Sequence, residues 1–170
     1  MKAIKELILN KNFWLCAFVM HALVLTSLYL KFGINFSNES EKYLAIAGRL
    51  NFGNYREELQ FLWAYSFYIF FLSACLKMGF SLYVILGLQY LISMTGFYLF
   101  YRFILTQSFF PKVYARICLL VMVTCPIIIY WQLAFYTEIF FLALVMISTY
   151  CIFKPKTDRA LMAFLLIALL

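Results

Sequence analysis

Long apolar runs separated by short polar stretches make up most of the 170-residue chain. A helix that crosses a bilayer needs about 20 predominantly apolar residues. Four runs come close to that length and a fifth is incomplete; they cover 13–31, 81–101, 113–132, 137–153 and 160–170. The pattern predicts an all-α fold, a polytopic integral membrane bundle that forms a single domain over 1–170. Because the last run stops after eleven apolar residues, we expect a truncated protein or the N-terminal piece of a longer one.

One further apolar run, 61–80, is ambiguous, and the charges around it decide its role. If it spans, the basic residues of the N-terminus and those after residue 101 lie on opposite sides of the membrane. If it does not, one side collects nearly all of them: Lys2, Lys5, Lys11, Arg102, Lys112, Arg116, Lys154, Lys156 and Arg159. Basic loops favour the cytoplasm. The sequence therefore predicts a cytoplasmic N-terminus and an external loop over 32–80, with two helices parallel to the membrane surface.

The first of these surface helices is predicted over the stretch "NESEKYLAIAGRLN". Asn38 is a favourable N-cap, and Glu41 follows three residues later as in a capping box. Gly53 is placed to end the helix. Apolar side chains at helical spacing form one stripe, which we expect to face the membrane: Tyr43, Ile46, Ala47 and Leu50.

Composition excludes several classes of protein. The chain is 66% hydrophobic with a mean hydropathy of +0.93, which no ordinary soluble domain matches. The net charge is +7, but the basic residues form short clusters between apolar runs, a pattern typical of membrane orientation and not of nucleic-acid binding. The five cysteines lie in apolar stretches without metal-ligand spacing, and His21 is the only histidine, so no metal site is predicted.

Acidic residues are few, and each has two interpretations. Glu39 and Glu41 open the first surface helix, where carboxylates favour the helix dipole. Glu138 sits among apolar neighbours at the external end of the third and fourth spans, where a carboxylate is costly and usually has a function or a partner. Glu138 also suits the start of a helix, with Thr137 as a cap beside it. By the predicted topology the acids face one external cavity mouth.

Two segments resemble a known family. The stretch 39–47, "ESEKYLAIA", and the later stretch 126–138, which ends in "LAFYTE", resemble the first and second external loops of GT-C glycosyltransferases. These are polytopic enzymes that take sugars from polyprenyl-phosphate donors; the aminoarabinose transferases of lipid A and the protein O-mannosyltransferases are examples. The resemblance covers essentially the whole chain through short motifs. It implies a membrane glycosyltransferase that acts at the external membrane face of a bacterial inner membrane, a plasma membrane or, in a eukaryote, the endoplasmic reticulum.

The resemblance also implies roles for particular residues. Glu39 matches the first-loop acid, the catalytic base toward the acceptor hydroxyl, and Glu138 matches the second-loop acid. Glu39 stands where the family usually has Asp, Ser40 replaces the second acid of the usual pair, and Glu41 becomes the counterpart if the register slips by two. The expected partners are a lipid-linked sugar donor, membrane lipids, and a glycan, lipid or protein acceptor. No cofactor is required, with a divalent metal left open.

Transfer from a lipid-linked sugar also needs cations near the leaving phosphate. The nearest external cations are Lys42, Arg49 and Arg56, which are equally suited to contact anionic lipid head groups. Two other classes stay open: a non-catalytic small polytopic protein that packs in an envelope or lipid-handling complex, and, with less support, a transporter. As the front end of a longer enzyme, the chain could be inactive alone.

Overall fold

The computed structural model describes residues 12–34, 36–51, 53–59, 65–107 and 111–153, without the side chains of Arg56 and Glu58. Within these ranges the chain is all-helical, as the sequence predicts. The helices are α1 (Phe13–Phe32), α2 (Asn38–Arg49), α3 (Tyr55–Leu59), α4 (Ser66–Lys77), α5 (Leu82–Thr106), α6 (Lys112–Thr124), α7 (Pro126–Gln132) and α8 (Thr137–Phe153). The predicted run 160–170 lies outside the described residues.

Within the described part of the chain, two helices are long and apolar enough to cross a membrane, which is consistent with a membrane protein. They are α1, with 20 residues, and α5, with 25. The bounds of α1 match the predicted run 13–31 to within one residue. Helix α5 continues to Thr106, five residues beyond the predicted end, and it begins after Ser81, whose Oγ accepts the Val84 N–H at 3.4 Å.

The predicted span over 113–132 is not one continuous helix. The segment divides into α6 and α7, which bend by 52° at Cys125, so the pair forms either a broken span or a re-entrant loop. Pro126 explains the break, because its ring fixes φ, clashes with the preceding turn and provides no N–H donor. At the first position of α7 the same proline is well placed.

Helices α5 and α8 run in the same direction and pack along their length. At one end, the Nε2 of Gln89 donates to the carbonyl of Ala134, just before α8, at 3.0 Å. At the other end, the rings of Phe103 and Phe153 lie 5.2 Å apart. Between these contacts the two helices approach most closely at Gly96, which is buried against α8.

Gly96 allows this close approach because it has no side chain. A Cβ atom on Gly96 would lie 2.9 Å from both the Cα and the carbonyl oxygen of Ala143. Real Cβ atoms do not approach backbone atoms so closely, so any other residue forces the two helices apart. Small residues at a helix interface are a common means of packing apolar helices, because they bring the backbones into van der Waals contact.

Helix α1 runs opposite to α5. The rings of Trp14 and Tyr98 lie 4.9 Å apart near one end of the pair, and those of Tyr29 and Tyr83 lie 6.1 Å apart near the other. Helix α1 also packs on α6. The beginning of α1, the end of α5 and the beginning of α6 therefore lie together at one end of the bundle.

Buried polar side chains between the helices are hydrogen-bonded to one another. His21, only 3% exposed, pairs through Nδ1 with the carbonyl of Val123, beside the break after α6, and through Nε2 with the Oε1 of Gln132. The Nε2 of Gln132 donates to Ser93 Oγ at 2.9 Å. Polar groups among apolar helices are costly unless they find such partners, so these bonds fix α1, α5 and α7 against one another.

The start of α2 differs from the prediction by one residue. Ser37, not Asn38, is the N-cap: its Oγ accepts the Ser40 N–H at 3.1 Å. Asn38 becomes the first helical residue and is exposed. Glu39 and Glu41 both lie in the first turn, so the predicted capping box between Asn38 and Glu41 is not formed.

The end of α2 also differs, because Asn54 and not Gly53 terminates it. The Nδ2 of Asn54 donates to the carbonyl of Arg49 at 3.2 Å, and its Oδ1 accepts the Asn51 N–H at 2.7 Å. One amide side chain thus satisfies the free carbonyl and turns the chain. Gly53 lies in the following turn.

The apolar stripe of α2 packs on α4 and is buried inside the protein, so the prediction that it faces the membrane is wrong. Tyr43 meets Tyr68 of α4 edge-on, with ring centroids 5.9 Å apart. Helix α4 is the described part of the second predicted surface helix; residues 61–64 lie outside the described residues. With 12 residues α4 is too short to span a bilayer by itself.

We expect Gly96→Ala to destabilise the protein by about 1–3 kcal/mol, because its methyl group overpacks the backbone of α8. Gly87→Ala is the matched control on the same helix, since a Cβ at Gly87 meets nothing within 4 Å. That variant should keep or raise stability, as alanine favours helix. Thermal unfolding in detergent, followed by circular dichroism, measures both. Equal effects of the two substitutions would contradict the proposed contact.

We expect Ser37→Ala to lower the stability of the protein by about 0.5–2 kcal/mol through loss of the N-cap. Asn38→Ala should have almost no effect, because Asn38 is exposed and is not the cap. The same unfolding measurement separates the two. A larger loss for Asn38→Ala would restore the capping pattern predicted from the sequence.

Candidate functional site

The candidate site begins on the buried edge of α2. Glu39 and Tyr43 are four residues apart, so their side chains lie on one face of the helix, one turn apart. Tyr43 is only 4% exposed, and its hydroxyl interacts with the Glu39 side chain. Glu39 itself is exposed. A buried phenol therefore adjoins a carboxylate that a bound molecule can reach.

Helix α8 brings a second acid to the same place. Thr137, at the start of α8, interacts with the Tyr43 hydroxyl and donates its own hydroxyl hydrogen to the Oε2 of Glu138 at 3.1 Å. Glu138 is exposed. Glu39 and Glu138, which are far apart in the sequence, are thus linked through Tyr43 and Thr137. We call the set of Glu39, Tyr43, Tyr68, Thr137 and Glu138 the acid–tyrosine cluster.

Tyr68 of α4 anchors the cluster to the neighbouring helices. Its ring is fully buried and packs 5.4 Å from that of Phe140. Its hydroxyl donates to the Oε1 of Gln89 at 2.7 Å, and Gln89 in turn donates to the Ala134 carbonyl. The packing and the hydrogen bond therefore fix the Tyr68 side chain in one rotamer. Tyr68 in this way holds α2, α5 and α8 in place relative to one another.

A second tie joins the start of α2 to the turn before α8. Tyr136 precedes Thr137, and its hydroxyl interacts with Ser37, the N-cap of α2, and with Tyr130 of α7. The rings of Tyr130 and Tyr136 lie 5.7 Å apart. Because Ser37 fixes the first turn of α2, this contact positions Glu39 relative to Glu138.

The two buried phenols of the cluster stay protonated. Burial raises the pKa of Tyr43 to about 12; the nearby Glu39 charge adds to this effect, while the hydrogen bond with Thr137 opposes it. Burial also raises the pKa of Tyr68 well above its usual value, with smaller contributions from Tyr43 and Glu138. At neutral pH these tyrosines are hydrogen-bond donors or acceptors and cannot act as bases.

The other predicted acid, Glu41, does not join the cluster. It lies two residues from both Glu39 and Tyr43, which places it about 200° around the helix from Glu39. Its side chain is exposed. Of the two acids that open α2, Glu39 lies on the face of Tyr43 and Glu41 on the opposite face.

The predicted phosphate-binding cations lie at increasing distance from the cluster. Lys42 is exposed and lies three residues after Glu39, which makes it a neighbour of Glu39 on the helix surface. Arg49 is also exposed, about 15 Å farther along the axis than Glu39, and its Nε donates to the Ala45 carbonyl at 3.3 Å. Arg56 falls in α3, and its side chain is outside what the structure describes. Lys42 is thus the cation nearest to Glu39 on α2.

The sequence placed Tyr43 only in the apolar stripe of the first surface helix and assigned nothing to Tyr68. The spacing of Glu39 and Tyr43 was a readable signal, since residues four apart in a helix are neighbours. Nothing comparable linked Tyr43 to Thr137 or Tyr68 to Gln89, because those pairs depend on how α2, α4, α5 and α8 pack.

In the part of the chain that the structure describes, no three His, Cys, Asp or Glu side chains are grouped so that they could hold a metal ion. Known proteins provide no further guide to the site: no family model, curated protein or solved structure matches the chain.

We expect the protein to lose stability relative to its Tyr43→Phe variant as pH rises above 10. The folded pKa of Tyr43, about 12, exceeds the unfolded value of about 10, so the stabilisation is fully present below pH 10 and is lost as pH approaches 12. The loss should be on the order of 2 kcal/mol. Urea unfolding of both proteins in detergent between pH 8 and 11.5 measures it. A constant stability difference over this range would show that Tyr43 ionises freely.

Proposed function

We propose that the chain is a multi-pass membrane module of the GT-C type, which transfers a sugar from a polyprenyl-phosphate donor to an acceptor hydroxyl at the external membrane face. One observation carries the proposal: Glu39 and Glu138, the two acids that match the family's loop acids, converge on Tyr43 through Thr137. Residues so far apart in sequence meet only if the two predicted external loops lie together.

The direction of the helices supports the proposed topology. If 61–80 crossed the membrane, α1 and α5 would run in the same direction, because one pass would separate them. They run in opposite directions. This favours a single loop over 32–80 on one side of the membrane, a return pass by α6 and α7, and a further pass by α8. The distribution of basic residues then favours a cytoplasmic N-terminus and an external loop.

In the proposed reaction Glu39 acts as the base. Its carboxylate takes the proton from the acceptor hydroxyl, the acceptor oxygen forms a bond to the anomeric carbon, and the bond from that carbon to the phosphate oxygen breaks. The polyprenyl phosphate leaves with the electron pair. Tyr43 and Thr137 position the carboxylates through hydrogen bonds, and Glu138 sets the charge on the acceptor side.

Lys42 is the side chain best placed on α2 to stabilise charge on the leaving phosphate. It lies next to Glu39 on the helix surface and is exposed. Arg49 extends the same basic edge of α2 away from the cluster. Head groups of anionic lipids are the other ligands that suit these two cations.

A slot between α1 and α5 suits the lipid part of such a donor. It has a volume of about 260 Å³, and Tyr29, Tyr83, Gln132 and Leu133 are among its lining residues. Gln132 and Leu133 lie within five residues of Thr137, so the slot ends near the acid–tyrosine cluster. Its walls are otherwise mainly apolar, as a polyprenyl chain requires.

One observation favours the non-catalytic alternative. Glu39 and Glu138 both lie in the first turn of a helix, where a carboxylate is stabilised by the helix dipole without any chemical role. In a small polytopic protein that packs in an envelope or lipid-handling complex, the two acids would serve only to stabilise the starts of these helices.

We expect Glu39→Gln to lower sugar transfer by a factor of 10²–10⁴, the usual contribution of a general base. Glu138→Gln should lower it less, and Glu41→Gln, the matched control on the same helix turn, should leave it near the wild-type level. The assay uses membranes that contain the chain, or the longest reading frame that continues from it, with a mixed pool of polyprenyl-phosphate sugars.

Circular dichroism of each purified variant checks that the helices are retained. If sugar transfer survives both Glu39→Gln and Glu138→Gln, the two acids have only a capping role at the helix ends. Stable insertion with no transfer by either wild-type form would favour the non-catalytic protein.

A further inference from the structure

The opposite end of the bundle carries a basic cleft. It lies where α1 begins, α5 ends and α6 begins, and it has a volume of about 400 Å³. Its lining includes three cations, Arg102, Lys112 and Arg116, and the aromatic side chains of Trp14 and Tyr98. Among the residues that the structure describes, no acidic side chain lines the cleft.

The acids of the candidate site are far from this cleft. Glu138 is the second residue of α8 and lies four residues after Ala134, whose carbonyl accepts a hydrogen bond from the Gln89 side chain. Arg102 lies thirteen residues farther along α5 than Gln89, a distance of about 20 Å along the helix. The carboxylates of the acid–tyrosine cluster therefore do not compensate the charge of the cleft.

Two of the cations occupy positions that an isolated helix disfavours. Lys112 is the first residue of α6 and Arg116 lies one turn later, at the positive end of the helix dipole. They are also four residues apart, so the like charges face one another on the helix surface. Arg116 is mostly buried, with 9% of its surface exposed. An anion in the cleft would offset the like-charge repulsion on α6 and the unfavourable positions at the positive end of its dipole.

The third cation is held in place by aromatic rings. Arg102 donates from Nη1 to the hydroxyl of Tyr98 at 3.1 Å, and its guanidinium lies 5.9 Å from the centre of that ring. The Tyr98 ring in turn lies 4.9 Å from that of Trp14. Tryptophan and tyrosine collect at the level of lipid head groups, and a fixed guanidinium suits two phosphate oxygens at once.

We propose that this basic cleft binds the phosphate of an anionic membrane lipid. Charge complementarity selects an anion, and the location selects a lipid: the cleft lies at the ends of α1 and α5, the two helices long and apolar enough to span. Exposed apolar side chains such as Leu15 and Val19 continue along α1 from the cleft and suit the acyl chains. The inference is independent of glycosyl transfer, and in the proposed topology the cleft faces the cytoplasm.

Native mass spectrometry of the full chain, incubated with equal amounts of phosphatidylglycerol and phosphatidylcholine, tests the proposal. We expect selective retention of phosphatidylglycerol. Each cation contributes about fivefold to such binding, so Lys112→Gln/Arg116→Gln should weaken it about thirtyfold. Lys31→Gln/Lys77→Gln removes the same charge from exposed positions elsewhere and should leave the affinity unchanged.

Lys112→Gln alone keeps the test valid if the double variant fails to fold. Lys112 is exposed, and its removal relieves the like-charge pair on α6, so the variant should be at least as stable as wild type while binding phosphatidylglycerol about fivefold more weakly. Equal retention of the two lipids, or equal losses in the cleft and control variants, would overturn the proposal. Displacement of phosphatidylglycerol by an equal concentration of inorganic phosphate would also overturn it, in favour of a soluble anion.

Discussion

The close approach of α5 and α8 at Gly96 and Ala143 determines where the rest of the molecule can lie. Once the backbones touch there, the start of α8 is fixed beside Gln89, about two turns below the start of α5. Thr137 and Glu138 are then held at the level of Tyr68. A larger residue at Gly96 would displace α8 and, with it, Thr137, which interacts with Tyr43, and the neighbouring Glu138. The geometry of the candidate site thus depends on a contact between backbones that contains no functional group.

Hydrogen bonds between polar side chains select one arrangement of the helices among the several that apolar packing allows. Leucine and phenylalanine pack acceptably in several registers, whereas an amide or imidazole among apolar helices must find its partner. His21 and Gln132 fix α1 to α7, and Gln89 and Tyr68 fix α4 to the turn before α8. Each pair lies beside a helix break or a helix end, where backbone carbonyls are free to accept hydrogen bonds.

Much of the fold can be predicted from the sequence, because apolar runs directly report helix existence. The ends of α1 and α8 agree with the predicted runs to within one residue. The break between α6 and α7 was missed although Pro126 lies in the run, since a proline can be tolerated inside a membrane helix. The shift of the cap from Asn38 to Ser37 could not be predicted either, because both residues are good caps and Ser37 gains a partner in Tyr136. The two acids of the cluster were found by their position, but the tyrosines between them depend on packing over long sequence distances.

The bond between His21 and Gln132 has a consequence for biosynthesis. The two residues are 111 positions apart. At ribosomal rates of about 5–20 residues per second, the partners of His21 emerge roughly 6–22 s after His21 itself. During that interval α1 carries a polar ring with no permanent partner. Helix α1 therefore reaches its final hydrogen bonds only after α7 has been synthesised, so the long separation of the two residues in sequence delays the completion of this contact.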